Sequence, residues 1–270
     1  MKIRIGISPC PNDTYIFEAI YHQKVALKDT TFEFVFEDVE TLNEMASKQA
    51  LDMVKISYAH YFSVIDQYCM LRSGGALGNG VGPLLIAKSP ISIPELINSQ
   101  IAVPGKHTTA HFLLSFAWPQ LKNKRYFRFE KIEEAILQNI VDAGVIIHEN
   151  RFTYQEKGLH LLMDLGQYWE TQTALPIPLG GIAISRTIPH DIQLQINALL
   201  KSSIEWANQQ PSKINEFISL HAQEMNEEVM KQHISLYVNE YSLDVGMLGE
   251  QAVHKMKEVL NISSNKPLFI

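Results

Sequence analysis

A histidine followed by an acid and an amide, His148-Glu149-Asn150, closes the run Ala143-Gly144-Val145-Ile146-Ile147. An imidazole has an unperturbed pKa of about 6.5 and can accept a proton at neutral pH. His148 is therefore a candidate general base. The plainer role for it is a hydrogen-bonded histidine at a strand end. Glu149 or Asn150 could orient the ring, but neighbours on a strand face opposite ways, so neither is assigned as its partner.

Three other groups carry functional side chains. Lys106-His107-Thr108-Thr109 precedes an apolar, periodic segment. A helix starting there offers N–H groups and partial positive charge to a carboxylate or phosphate. The two threonine hydroxyls could add donors, or one could simply cap the helix. His107 and His111 have the i, i+4 spacing of metal ligands on one helix face. The glutamate of H-E-x-x-H is missing and His107 falls ahead of the helix, so no metal site is expected. Lys55-Ile56-Ser57 ends a strand on which Lys55 and Ser57 share a face. They could offer a ligand a charge and a hydroxyl, or be an ordinary polar strand end. In Ser8-Pro9-Cys10-Pro11-Asn12-Asp13, Ser8 stands at a strand end and Asn12 or Asp13 suits a helix cap. Cys10 has no base marked for it and is a weak candidate nucleophile.

The elements that must position these groups follow from periodicity. Residues 3–7, 32–37 and 52–57 read as strands, and 14–22, 39–49 and 58–66 as helices. That βαβαβα order favours a doubly wound lobe. Residues 72–83 are glycine-rich. They lack the GK[ST] ending of a phosphate loop and the spacing of a dinucleotide fingerprint. Close backbone approach to a ligand and a flexible turn both explain the glycines.

A strand at 83–87 leaves the first lobe. A second α/β series has strands at 100–103 and around 126–129, and helices at 110–118 and 131–139. The β-branched strand ending at His148 follows, as in a βαβ unit with a parallel sheet. Residues 175–179 form a proline-rich connector and 180–185 a return strand. The remainder reads as helices at 189–209, 211–221, 226–240 and 245–260, with Pro189 and Pro211 near helix starts, and an apolar tail at 266–270.

The expected organisation is an α/β chain with lobe one at 1–88 and 181–270 and lobe two at 89–180. Two crossings make a hinge and a cleft that can close over a small ligand and exclude water. Ligands in open α/β sheets bind beyond the carboxyl ends of strands. All four groups are expected at such ends, facing the cleft.

The bulk properties narrow the class. The 270 residues are 46% apolar and 19% charged, a folding composition. A net charge of -6 argues against nucleic acid as a partner. Cys10 and Cys69 supply neither a disulfide framework nor a thiolate zinc cluster, and two free thiols are the simpler reading. The N-terminus has charges at alternate positions rather than the apolar core of a secretion signal. No stretch is long and apolar enough to span a bilayer. A cytoplasmic protein with no membrane partner is expected, and a homo-oligomer is compatible with the sequence.

Several of these segments carry a resemblance. Residues 8–14, 37–43, 55–58, 72–83, 103–110 and 147–154, with Tyr241-Ser242-Leu243-Asp244-Val245-Gly246, resemble the 1,4-dihydroxy-6-naphthoate synthases nearly end to end. The resemblance implies a type II periplasmic-binding-protein-like fold used as an enzyme of the futalosine route to menaquinone. It implies conversion of cyclic dehypoxanthine futalosine to 1,4-dihydroxy-6-naphthoate, a carbon–carbon lyase step on an aromatic carboxylate, with no metal or organic cofactor. It implies that His148 is the catalytic histidine and that Lys55-Ile56-Ser57 and Thr108-Thr109 contact the substrate. Where the family often has serine after His-Glu, this chain has Asn150. A solute-binding protein of the same fold would carry a secretion leader. The related chorismate dehydratase has different motifs, and a ligand-sensing regulator would need a DNA-binding segment.

Overall fold

Residues Lys2–Ile7 (β1) have period two: Ile3, Ile5 and Ile7 are buried while Lys2 and Arg4 are exposed. The computed structural model describes residues 1–210, 214–222 and 226–270. Helix α1 (Pro11–Tyr21) begins earlier than its periodicity suggests, because Pro11 takes the first helical position. Its fixed φ and missing N–H cost nothing there. Cys10 is the N-cap, so Asn12 and Asp13 lie inside the first turn instead of capping it.

Parallel strand β2 (Thr31–Phe36) follows, then α2 (Val39–Ser47), which Asp38 caps by accepting from the N–H groups of Glu40 and Thr41. Next come β3 (Met53–Ser57), a short α3 (Tyr58–Tyr61), β4 (Tyr68–Met70) and β5 (Ala76–Gly78).

The chain leaves this first unit, Met1–Gly78, to form a second, Asn79–Ile177, and returns at Pro178. In the second unit the order is β6 (Leu84–Ala87), α4 (Ile93–Asn98), β7 (Ile101–Val103), α5 (Thr109–Ala117) and β8 (Lys124–Tyr126). A 3-10 turn at Phe129–Lys131 leads into α6 (Ile132–Leu137), β9 (Ala143–Ile146), α7 (Asn150–Thr153), β10 (His160–Asp164) and α8 (Leu165–Thr173). Its sheet runs β10-β6-β9-β7-β8. Strands β7, β8 and β9 are parallel, and β6 is antiparallel to β9 and β10. Leu84–Ala87, expected to leave the first lobe, is thus a central strand of the second sheet. Ile132, Ala135 and Ile136 of α6 pack with Leu84, Ile86, Ala102 and Ile146 of that sheet.

The return strand β11 (Ile177–Ser185) starts inside the expected connector, with Pro178 near its beginning, where a missing N–H is tolerated. It runs antiparallel to β3 and β4 and also pairs β5, completing a sheet in the order β2-β1-β3-β11-β4. Helices α9 (His190–Asn208), α10 (Glu216–His221), α11 (Glu227–Tyr237), α12 (Glu240–Leu243) and α13 (Gly246–Val259) follow. Pro211, expected near a helix start, lies outside the described residues. Ile196, Leu200 and Ile204 form an i, i+4, i+8 stripe on α9 that packs on Ile3, Ile5, Ile16, Ile182 and Ile184. The C-terminal tail docks as expected: Met70 bridges Phe269, and Tyr61 Oη donates to the Leu268 carbonyl at 2.7 Å.

Part of the glycine-rich stretch is explained by packing. A Cβ on Gly82 would lie 2.2 Å from Gly166 Cα, in the first turn of α8. Backbone faces backbone there, so no side chain can swing away. Gly82→Ala should lower stability by about 3 kcal/mol in urea unfolding, the upper part of the overpacking range.

Candidate functional site

In the first unit, four of the singled-out residues form one buried network. Lys55 Nζ donates to Asp13 Oδ1 at 2.6 Å, and Asn12 Nδ2 donates to the same oxygen at 2.9 Å. Asp13 Oδ2 accepts from Ser8 Oγ at 2.7 Å and from the Ser8 N–H at 3.2 Å. The Asp13 side chain has no exposure and that of Lys55 is 9% exposed. Lys55 therefore neutralises a buried carboxylate rather than offering a bare charge. On the far side, His233 Nε2 donates to Asn12 Oδ1 at 2.9 Å. His233 is wholly buried on the apolar face of α11, beside Met230, Ile234 and Tyr237.

Ser57 is held by a residue not singled out from sequence. Its N–H donates to Asn43 Oδ1 at 3.0 Å, and its Oγ accepts from Asn43 Nδ2 at 3.1 Å. Asn43, on α2, has no exposure. It clamps the end of β3 through both backbone and hydroxyl, which fixes where Ser57 Oγ points. Ile56 is wholly buried within the sheet, with its backbone in register with Gly181 of β11, so its side chain packs instead of presenting itself. The next residue, Tyr58, has its hydroxyl pushed well above the usual tyrosine range by burial, and further by Tyr61.

Two distant segments that carried the family resemblance meet in this unit. The Val245 N–H donates to the Arg72 carbonyl and the Gly74 N–H to the Ser242 carbonyl, each at 2.8 Å. Arg72 grips Asp244 in a fork, with Nε to Oδ2 at 3.0 Å and Nη2 to Oδ1 at 2.8 Å. That pairing holds the Asp244 carboxyl below the usual carboxylate range.

In the second unit, Thr108 is the N-cap of α5. Its Oγ accepts from the His111 N–H at 3.2 Å and donates to the Gly105 carbonyl at 3.0 Å. The hydroxyl of Thr108 thus serves the helix. Thr109 is the first helical residue and is buried. His107 is partly exposed and precedes the helix. Both nitrogens of His111 are engaged. Nδ1 donates to the Lys106 carbonyl at 2.7 Å, and Nε2 faces Lys124 Nζ at 3.3 Å. This leaves no lone pair on His111 for a metal shared with His107. Burial, and then Lys122, push the Lys124 ammonium down.

His148 lies just beyond the end of β9, partly exposed. Its φ is 57°, in the left-handed region. A non-glycine residue pays about 1–2 kcal/mol for that conformation, and such residues concentrate where the surrounding structure over-determines them for function. Its ring meets Phe129 edge-on, with centroids 4.9 Å apart at an interplanar angle of 64°. His148→Gly should therefore be more stable than His148→Ala by about 1 kcal/mol, as compared by urea unfolding.

Behind it, Asn150 opens α7 and donates to Glu133 Oε2 of α6, which also accepts from Lys157 Nζ at 2.6 Å. Sequence reading missed Asn43, His233, Phe129 and Glu133. Only His233 had a usable signal, being polar within an i, i+3, i+4 apolar stripe.

Comparison with solved structures fixes the architectural class. The periplasmic aliphatic sulphonate binding protein of Escherichia coli aligns with a TM-score of 0.68 at 15% identity, over 99% of this chain and 95% of that one. The two-sheet α/β arrangement with two crossings is thus a periplasmic-binding-protein-like fold. A crystal structure of an Archaeoglobus fulgidus protein aligns with a TM-score of 0.89 at 34% identity, over 96% and 98% of the two chains. The protein named 1,4-dihydroxy-6-naphtoate synthase in Thermus thermophilus is 43% identical over 273 residues, 99% of each chain. The family model described as menaquinone biosynthesis matches residues 3–261. The chain belongs to this menaquinone-biosynthesis family. Among the described residues, no helix is long and apolar enough to cross a membrane.

Proposed function

We propose that this chain converts cyclic dehypoxanthine futalosine to 1,4-dihydroxy-6-naphthoate, a carbon–carbon lyase step, with His148 as the general base. The observation that carries the reading is the left-handed backbone at His148, φ 57°, with the ring braced by Phe129. Histidine is one of the few side chain types that enter this region readily, and Phe129 packs against the ring that the turn carries. His148 takes a proton from the sugar-derived part of the substrate. The electron pair left by that proton forms a carbonyl on the sugar-derived part, which leaves as the carbon–carbon bond breaks. The pair from that bond passes to the ring, which gains the aromaticity of the naphthoate.

The ring carboxylate of the substrate suits the start of α5, where Thr109 and the first-turn N–H groups supply donors and the helix dipole favours negative charge. Ser57 supplies a hydroxyl whose direction Asn43 sets. Lys55, in the same unit as Ser57, pairs with Asp13. The chemistry asks only for proton transfer, so we assign it to the protein's own groups, working in the cytoplasm on a small aromatic acid.

The test is incubation of the purified chain with cyclic dehypoxanthine futalosine, followed by the absorbance of the dihydroxynaphthoate. Appearance of product at a rate proportional to protein supports the reading. Absence of product from folded protein overturns it.

A further inference from the structure

We propose that Glu133 is a positioning residue for His148, acting through Asn150. The proposal rests on the reading of His148 as the base.

The link is continuous within the second unit. His148 occupies a turn only three residues long, Ile147 to Glu149, between β9 and α7. One end of that turn is fixed by the sheet, where Val145 and Ile146 pair with Leu85 and Leu84 of β6. The other end is fixed by Asn150, whose side-chain amide donates to the Glu133 carboxylate. Both side chains are buried, Glu133 at 4% and Asn150 at 8% exposure. Glu133 is in turn fixed by its helix, whose neighbours Ile132 and Ile136 pack in the core with Ile146.

Between these two pinned ends, His148 is the residue that takes a positive φ. The same short segment, Phe129 to Leu137, then holds the histidine twice. Phe129 braces its ring, and Glu133 anchors the backbone that follows it. Lys157 Nζ lies 2.6 Å from Glu133 Oε2 and pairs with the carboxylate that accepts from Asn150. Asparagine has the reach to donate this amide, and a serine at position 150 would lack it.

The experiment compares Glu133→Ala, Glu133→Gln and Asn150→Ala in the full chain. Glutamine keeps a carbonyl oxygen that can accept from Asn150, and alanine does not. Glu133→Ala and Asn150→Ala are expected to lower kcat roughly 10- to 100-fold, as small misplacements of a reacting group do. KM should stay within about twofold, because ground-state binding is untouched. Glu133→Gln should retain at least about a third of kcat, the conservative variant rescuing the link.

The second readout is the His148 ring resonances by NMR, assigned by their loss in His148→Ala, and it needs no turnover. They should shift in Glu133→Ala and Asn150→Ala and keep their place in Glu133→Gln. Unmoved resonances in the alanine variants, or equal losses in Glu133→Gln and Glu133→Ala, overturn the proposal. If Glu133→Ala does not fold, Asn150→Ala and Glu133→Gln decide it in the same way. A wild-type chain without turnover defeats the assigned reaction alone, and the resonances still judge the positioning.

Discussion

His148→Ala is expected to lower turnover of cyclic dehypoxanthine futalosine by about 10²–10⁴-fold, the usual contribution of a positioned acid–base group. The loss should fall on kcat, with KM little changed, because the imidazole acts on a proton that moves only in the transition state. The protein should stay folded. The ring is partly exposed, and it packs edge-on against Phe129 rather than deep in the core. Glycine at the same position would relieve the left-handed backbone but restore no base. Glycine and alanine variants should therefore differ in stability yet share the catalytic loss. Turnover in His148→Ala within a few-fold of wild type, on folded protein, would remove His148 from the mechanism.

Lys55→Met is expected to destabilise the first unit by about 3–5 kcal/mol, the cost of leaving a buried charge unpaired. Asp13 has no exposed side-chain surface and accepts from Lys55, Ser8 and Asn12. Removing the ammonium leaves Ser8 and Asn12 to solvate the carboxylate alone. Urea unfolding monitored on the native state measures the loss. The double variant Lys55→Met with Asp13→Asn should recover much of it, because the uncompensated charge is then gone. A single variant as stable as wild type would show that the ammonium contributes nothing net to folding. The same comparison separates structure from binding: if the double variant regains both stability and KM, the substrate needs neither the Lys55 ammonium nor the Asp13 charge.

The long periodic elements were legible because burial writes itself into spacing. β1 shows alternate isoleucines, β9 a β-branched run, and α9 a stripe repeating every four residues. The three-residue strands β4 and β5 were not legible, although β7, equally short, was read as the apolar start of the second α/β series. Strand β6 was seen but given to the wrong sheet, since sequence order does not tell which sheet a crossing strand joins. The candidate groups were legible as polar segments near strand ends: Ser8, Asn12, Asp13, Lys55 and Ser57 in the first unit, and Thr108, Thr109 and His148 in the second, were singled out as candidates. Their partners were not. His233 reaches Asn12 from 221 residues along the chain, and Asn43 reaches Ser57 from the preceding helix. Glu133 sits in an acidic helix start that reads as ordinary surface. Pairings between remote polar groups leave no mark on local pattern, and these groups are buried only because the pairing exists.

The position of β11 constrains how the protein can be made. Its neighbours β3, β4 and β5 emerge from the ribosome well before it, and Ser57 must wait for Gly180 to arrive. Until then the nascent N-terminal half carries β3 with an open edge, the kind of surface that recruits other chains. The inserted unit, Asn79–Ile177, is contiguous and can close on itself first. Vectorial synthesis should therefore yield a ripened insert flanked by an unfinished host. Chaperone dependence should concentrate in that interval and ease as β11, then α9 and the C-terminal tail, emerge to complete the core.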